Sequence, residues 1–351
     1  MSWKRPNQHQ EHLAEALRRH GVEGDQAFQS LAFQYYSIYS EALEAIPRSV
    51  VSKWSDSFSK ISHDQRLVGT LSELVQRDPK GDSLPDWYQF FIGRRFREGS
   101  GKFFTPRPVA AAMARLLPRT EHPVIMDPTC GGGTFLSQAS TVWDLKACTL
   151  VANDVEASLV ELTMLILSLS TPKRHRKHFL NVNIFDPDQE FANWYGHVDY
   201  ILANPPFSLQ IHNEQFQSEL FLAGYRNSDA LFIDTALKLL SPGGRLVCLL
   251  PHSLIANGEY ASMRSIVEER WDLLGVITLP EGVFHLAAGT STRADIVILE
   301  KKGTLSTNGR KMFFASVPNA GVQLNSNASL PESNDLEALV EQREIQKILG
   351  T

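Results

Sequence analysis

No apolar run in this sequence approaches the ~18 residues that a membrane-spanning helix needs. Cysteine is scarce. Cys130, Cys148 and Cys248 are an odd number, each in an apolar or glycine-rich context. They suit a reducing compartment and show no metal-ligand spacing, so neither a disulfide nor a metal site is expected. A surplus of positive charge is also missing: the net charge of −5 argues against a strongly basic nucleic-acid binder. The balance is uneven, with 15 Lys+Arg against 13 Asp+Glu over residues 1–110 and the acidic excess in the remainder. Contact with a polyanion would therefore depend on a local patch or a partner. The opening MSWKRPNQHQ is basic, but no apolar stretch follows it, so the expectation is a cytoplasmic chain without a secretory signal. No internal repeat is visible.

What is present is a 43% hydrophobic, 21% charged composition over 351 residues, enough for one large α/β domain with a smaller appendage. The stretch Asp199-Tyr200-Ile201-Leu202-Ala203-Asn204-Pro205-Pro206-Phe207 organises the rest. Its apolar run reads as a buried strand that stops at Asn-Pro-Pro-Phe. Two consecutive prolines lack N–H groups and have fixed φ, so the segment can neither pair in a sheet nor coil. It forms a rigid corner at a strand's carboxyl end, where open α/β sheets bind ligands. There the Asn204 amide oxygen and the Pro205 carbonyl can accept both hydrogens of an amino group, while the Phe207 ring can stack on a flat heterocycle. The plain alternative is a strand-to-loop turn capped by asparagine.

Residues 1–92 show apolar residues at three- and four-residue spacing in HLAEALRRH, QAFQSLAFQYYSIYSEALEAI and QRLVGTLSELVQR, which predicts helices. A basic, glycine-containing loop, Arg94 to Arg107, follows. The residues PVAAAMARLL then predict a helix with Thr105 as N-cap and Pro106 at its first position. From residue 123 strands and helices alternate, the signature of a wound parallel sheet. PVIMDPTCGGGTFLSQAS reads as strand, glycine loop and helix. Asp127 closes the strand, and Gly131, Gly132 and Gly133 allow a ligand close to the backbone. ACTLVANDV is a second strand ending at Asp154, placed to take ribose hydroxyls or to cap a helix. TPKRHRKH reads as a solvated helix terminus. FLNVNIFDP is a third strand that brings Asn183 to the ligand edge, and the fourth delivers Asn204. SLQIHNEQFQSELFLAGYRNSD is expected to loop over the site. A fifth strand, RLVCLLP, follows Ser-Pro-Gly-Gly, and further strands are expected at LLGVITLP, ADIVILEK and MFFASV. DLEALVEQREIQKIL reads as one short terminal helix.

Together GKFFTP, DPTCGGGTFL, NDV, NPPF, DALFIDTALKLLSPGGRLVCLLP and LPEGVFHLAAGTSTRADIVILEK resemble the amino-adenine (N6) DNA methyltransferases. The nearest likeness is the modification subunit of type I restriction–modification systems, over roughly residues 85–302. The resemblance implies an α/β, Rossmann-like sheet of seven strands, the last antiparallel, that binds S-adenosyl-L-methionine, behind an N-terminal helical domain. It divides the chain into a helical domain at 1–92, a catalytic domain at 93–317 and a short tail at 318–351. It implies Asn204, Pro205, Pro206 and Phe207 as the catalytic corner for a flipped adenine. Phe104, Thr105, Pro106, Asp127, Thr129, Gly131, Gly133, Thr134, Asp154 and Asn183 would hold the cofactor, without a metal. Where the family usually has an aspartate near the cofactor's adenine, this chain has Asn183, which implies weaker binding.

The partners implied are double-stranded DNA, a separate DNA-specificity subunit in place of a recognition domain, and room for a restriction subunit. Two alternatives stay open. The same corner serves enzymes that methylate an RNA base or a protein glutamine amide, and a non-catalytic cofactor-binding scaffold would carry the same motifs.

Overall fold

The computed structural model describes residues 8–92, 104–144, 146–213, 216, 218–283, 293–303, 311–322 and 329–351. The basic loop expected between Arg94 and Lys102, and the LPEGVF motif from its phenylalanine onward, lie outside these residues.

Five helices open the chain: α1 (Gln8–Arg19), α2 (Asp25–Ile38), α3 (Arg48–Ser59), α4 (Gln65–Arg77) and α5 (Leu84–Ile92). α4 shows why the local sequence coils. The Asp64 carboxylate accepts the N–H groups of Arg66 and Leu67, and Leu67, Leu71 and Val75 fall on one buried stripe. The sequence pattern does not single out α3: its stripe of Val51, Trp54 and Phe58 is short and set among serines and charged residues. It buries only Trp54 and Ser57, the latter donating to Gln29 Oε1 at 2.6 Å.

α6 (Arg107–Arg115) leads into the sheet. Its N-cap position is Pro106, one residue later than the spacing predicted. The strands are β1 (Val124–Asp127), β2 (Thr149–Asn153), β3 (Arg176–Leu180), β4 (Val198–Ala203), β5 (Leu240–Pro251), β6 (Trp271–Thr278), β7 (Ala294–Lys301) and β8 (Phe313–Ser316). Between them run α7 (Thr134–Val142), α8 (Ala157–Ser170), α9 (Gln189–Ala192), α10 (Glu219–Leu222), α11 (Ser228–Leu239), α12 (His252–Ala256) and α13 (Ala261–Arg270). The chain closes with a small ribbon, β9 (Ala320–Val322) and β10 (Ser329–Asn334), then α14 (Asp335–Val340) and α15 (Arg343–Leu349).

The sheet order is β3-β2-β1-β4-β5-β7-β6-β8. β7 runs antiparallel to both β5 and β6, and the other pairings are parallel. The sheet thus has eight strands where seven were implied, because MFFASV adds β8 beyond β6. Three other expectations need correction. The run TPKRHRKH is not a helix end: α8 stops at Ser170, and Arg176, Lys177 and His178 already belong to β3. Ser-Pro-Gly-Gly sits inside β5, not before it. Pairing jumps from Val198↔Leu240 to Tyr200↔Arg245, so the four residues bulge. Gly243 there has φ 78°, and a Cβ on Gly244 would meet the Asp199 carbonyl at 3.0 Å. The terminal helix is two helices, broken at Glu341–Gln342.

Three hydrophobic clusters hold these layers. α6, α7 and the terminal residues Leu336, Val340 and Leu349 cover one sheet face. α11 and its neighbours cover the other. α8 is apolar all round because it is buried on both sides. It packs Leu162 and Leu165 into the N-terminal helices and Leu167 toward the sheet. Among the described residues no helix is long and apolar enough to cross a membrane.

Candidate active site

β1 lies between β2 and β4, so successive crossovers leave it in opposite directions. A crevice outside the carboxyl ends of the strands at such a point is where open α/β sheets take ligands. A cavity of about 370 Å³ opens there, lined among others by Phe104, Thr129, Gly131, Asp154, Asn183 and Asn204. That size lies within the ~300–1,000 Å³ usual for small-molecule sites.

The glycine loop after β1 is shaped by what surrounds it. Gly131 and Gly133 have φ of 50° and 69°, a region costly for other residues. A Cβ on Gly133 would also lie 2.9 Å from Thr163 Cγ2. Thr163 Oγ1 donates to the Gly131 carbonyl at 2.8 Å, and the Gly131 N–H donates to Asp154 Oδ2 at 3.0 Å. Across the loop, a Cβ on Gly132 would meet the Phe104 ring at 3.2 Å. Asn153 ties three strand ends together. Its Nδ2 donates to the carbonyls of Pro128 (2.8 Å) and Val182 (3.0 Å), and its Oδ1 accepts the Val182 N–H (3.0 Å). Sequence reasoning passed over Asn153 and Thr163. The available signal was a lone polar side chain in an otherwise apolar strand or helix.

Asp127 is buried behind this loop, with Oδ1 accepting the Thr129 N–H at 3.1 Å. Among the described residues its Oδ2 has no hydrogen-bond partner, and neither has Thr129 Oγ1. Burial pushes the Asp127 carboxyl well above the usual carboxylate range, and the nearby Asp154 charge adds to the rise. Asp154 has both oxygens engaged locally, since Oδ1 also accepts the Glu156 N–H at 3.0 Å. It is not the N-cap of α8, a position held by Glu156. Asn183 Oδ1 accepts the Phe185 N–H at 3.0 Å.

The corner after β4 meets the segment before α6: Asn204 Nδ2 donates to Thr105 Oγ1 at 3.3 Å. Asn204, Pro205 and Pro206 line the cavity, whereas the half-buried Phe207 packs on the core beneath α6 and α7. Thr105, Pro106, Asp127, Gly133, Thr134 and Phe207 do not line the cavity and stand around it. Part of the expected covering loop walls the cavity, Leu209 to Asn213, with Asn213 Nδ2 donating to the Phe185 carbonyl at 2.8 Å, whereas Glu219–Leu222 farther along it form a helix, α10. Sequence reasoning missed the apolar walls Val155, Leu159, Ile184 and Phe185. Val155 is 56% exposed beside the Asp154 carboxylate, a position that suits one face of a flat ring.

These features fit S-adenosylmethionine in kind. A glycine cradle closed by Phe104, a carboxylate at the end of β2 and apolar walls match a cofactor with a polar tail, a ribose and a flat base. The order β3-β2-β1-β4-β5-β7-β6 with β7 antiparallel is the sheet of the class I S-adenosylmethionine-dependent methyltransferases, whose solved structures share this fold. The family follows from a more specific match: residues 79–347 fit the model of the N-6 DNA methylases, and the chain belongs to that family.

Similar proteins include the type II restriction enzyme and methyltransferase RM.BcgI of Heyndrickxia coagulans, 24% identical over 86% of this chain and 49% of its own length. The type I restriction enzyme EcoEI methylase subunit of Escherichia coli is 26% identical over 70% of this chain and 49% of its own. The type I methyltransferase subunit from Streptococcus thermophilus shares the fold, with a TM-score of 0.61, 21% identity, and coverage of 97% of this chain and 77% of that one. The chain spans about half the length of the curated relatives it matches.

Proposed function

We propose that this chain transfers a methyl group from S-adenosylmethionine to N6 of an adenine in double-stranded DNA. It would serve as the modification component of a type I-like restriction–modification system and read sequence through a separate specificity subunit. The observation that carries the reading is the Asn-Pro-Pro corner lining the same cavity as the glycine loop and Asp154, in a chain of the N-6 DNA methylase family. Bound in this cavity, S-adenosylmethionine would supply a methyl group activated by its sulfonium.

Asp154 would take the ribose, Gly131 would let the tail approach the backbone, and Asn183 would face the adenine with one lone pair already used by Phe185. Thr105 receives the Asn204 Nδ2, which turns the acceptor end of that amide away from Thr105. Asn204 Oδ1 and the Pro205 carbonyl would then accept the two hydrogens of the target amino group. That orients its lone pair and stabilises the positive charge that develops on the nitrogen. A base inside a duplex cannot reach this corner and has to be flipped out, and Phe207 would have to turn from its packing on the core to replace the lost stacking. The proton can leave to water after transfer.

The helical part at 1–92, the catalytic part at 93–317 and the terminal part at 318–351 enter this proposal as units, with the first as the face offered to a partner. A type II arrangement is the second reading, supported by the match to RM.BcgI over 86% of this chain. Tritiated methyl transfer to DNA, RNA and protein, with and without neighbouring gene products, tests the reading. Label entering DNA only when a partner is added is the expected result. Label entering RNA or protein alone would replace it.

A further inference from the structure

The corner that ends β4 does not hold its shape by prolines alone. Ser228 Oγ donates to the Pro206 carbonyl at 2.5 Å and accepts the Leu209 N–H at 3.2 Å. The Ser228 N–H returns a bond to the Leu209 carbonyl at 2.8 Å. Between these contacts sits Ser208, whose φ of 58° is unusual for a residue with a side chain, and its N–H donates to Asp229 Oδ2 at 3.4 Å. Ser228 and Asp229 are both buried, so these bonds are not exchanged with water. The clip continues outward. Gln210 pairs antiparallel with Asn227, its Nε2 donates to Asn227 Oδ1 at 2.8 Å, and the Ile211 N–H donates to the Arg226 carbonyl at 2.8 Å. One segment, Arg226 to Asp229, therefore grips both the Asn-Pro-Pro corner and the loop that walls the cavity.

We infer that Ser228 and Asp229 are positioning residues for methyl transfer: they fix the backbone after Pro205 and so aim the Asn204 and Pro205 acceptors at the target amino group. The inference rests on the function proposed above. Two prolines restrict φ but leave ψ to their surroundings, and a carbonyl anchored at Pro206 sets the Pro206–Phe207 peptide plane and with it ψ of Pro206, the free torsion next to the Pro205–Pro206 peptide. The strained Ser208 persists because Asp229 accepts its N–H and Ser228 holds Pro206 and Leu209 on either side of it. Cofactor contacts at Asp154 and the glycine loop come from other strands and are untouched by this clip.

The test compares Ser228→Ala and Ser228→Thr in the full chain with whatever partner supports transfer. Ser228→Ala is expected to lower kcat on the order of 10- to 100-fold while the KM for S-adenosylmethionine stays within about threefold, because orientation and not binding is lost. Ser228→Thr keeps the hydroxyl and is expected to recover most of kcat. Hydrogen exchange adds a readout independent of activity: the amides of Ser208 and Leu209 should exchange faster in Ser228→Ala, with those of β1 and β2 unchanged. A Ser228→Ala protein with wild-type kcat, or with unchanged exchange at Ser208 and Leu209, overturns the inference. So does a fall in kcat matched by equal losses of cofactor binding and thermal stability. An inactive wild type on every amine substrate would overturn the proposed function itself, a result separate from all of these.

Discussion

The Gly131 N–H donates to Asp154 Oδ2 at 3.0 Å, so the carboxylate that ends β2 shapes the loop that follows β1. With the ribose-binding role proposed for Asp154, cofactor binding and loop geometry would depend on one side chain. Asp154→Ala should weaken S-adenosylmethionine binding by about 10- to 100-fold, as expected for losing hydrogen bonds to a charged acceptor. Calorimetry on the purified protein checks this. An unchanged affinity would remove Asp154 from the site.

Asp127 makes a prediction with a sign. Burial raises its folded pKa above the unfolded value of ~3.9. Its favourable contribution to folding is then present below that unfolded value and is lost as pH rises through the folded one. At neutral pH Asp127→Asn should melt higher than the wild type, and its melting temperature should fall less steeply with rising pH. The same substitution should weaken cofactor binding if Asp127 holds the cofactor's amino group in the proposed site, because an amide N–H donor can replace the acceptor Oδ2, unpartnered among the described residues. Thermal melts over a pH series that starts near the unfolded value and runs upward check the first part.

Asn204→Ala should abolish methyl transfer and leave S-adenosylmethionine affinity within about threefold, since in the proposed reaction the residue acts on the substrate amine. Thr105→Val should have a smaller effect, about tenfold on kcat, by releasing the Asn204 amide from the orientation that Thr105 gives it. Single-turnover transfer beside calorimetry separates the two effects.

The helical bundle is joined to α8 through Glu161, which receives Lys53 Nζ at 2.8 Å and Trp54 Nε1 at 3.1 Å. Lys53 is half exposed and contributes little, but Trp54 is fully buried. Glu161→Ala leaves the indole N–H unpaired and should cost about 1–3 kcal/mol. Denaturant unfolding measures it, and no loss would mean that water replaces the carboxylate.

The ligand edge was legible because it is written locally. Asp127, the three glycines, Asp154 and Asn204 each follow an apolar strand, and strand ends of a wound sheet converge. Asn153 and Ser228 were not legible, since each acts through backbone carbonyls of segments that meet only in the fold. α3 escaped because its apolar stripe is short, and its one fully buried large residue, Trp54, is fixed by a bond to Glu161, more than a hundred positions away. The basic run that leads into β3 misled because charge near a helix end is a weak local signal, whereas pairing of Arg176, Lys177 and His178 with β2 decided the matter. β8 was read as a strand, but its place in the main sheet depended on a parallel partner, β6, that periodicity cannot name.

The most direct test is the identity of the modified base. Unmethylated DNA incubated with S-adenosylmethionine, the chain and a candidate specificity subunit can be digested to nucleosides and analysed by mass spectrometry. N6-methyldeoxyadenosine with the wild type and none with Asn204→Ala is the predicted result. Methylated cytosine alone, or no methylated base in DNA while RNA or protein gains the label, would contradict it.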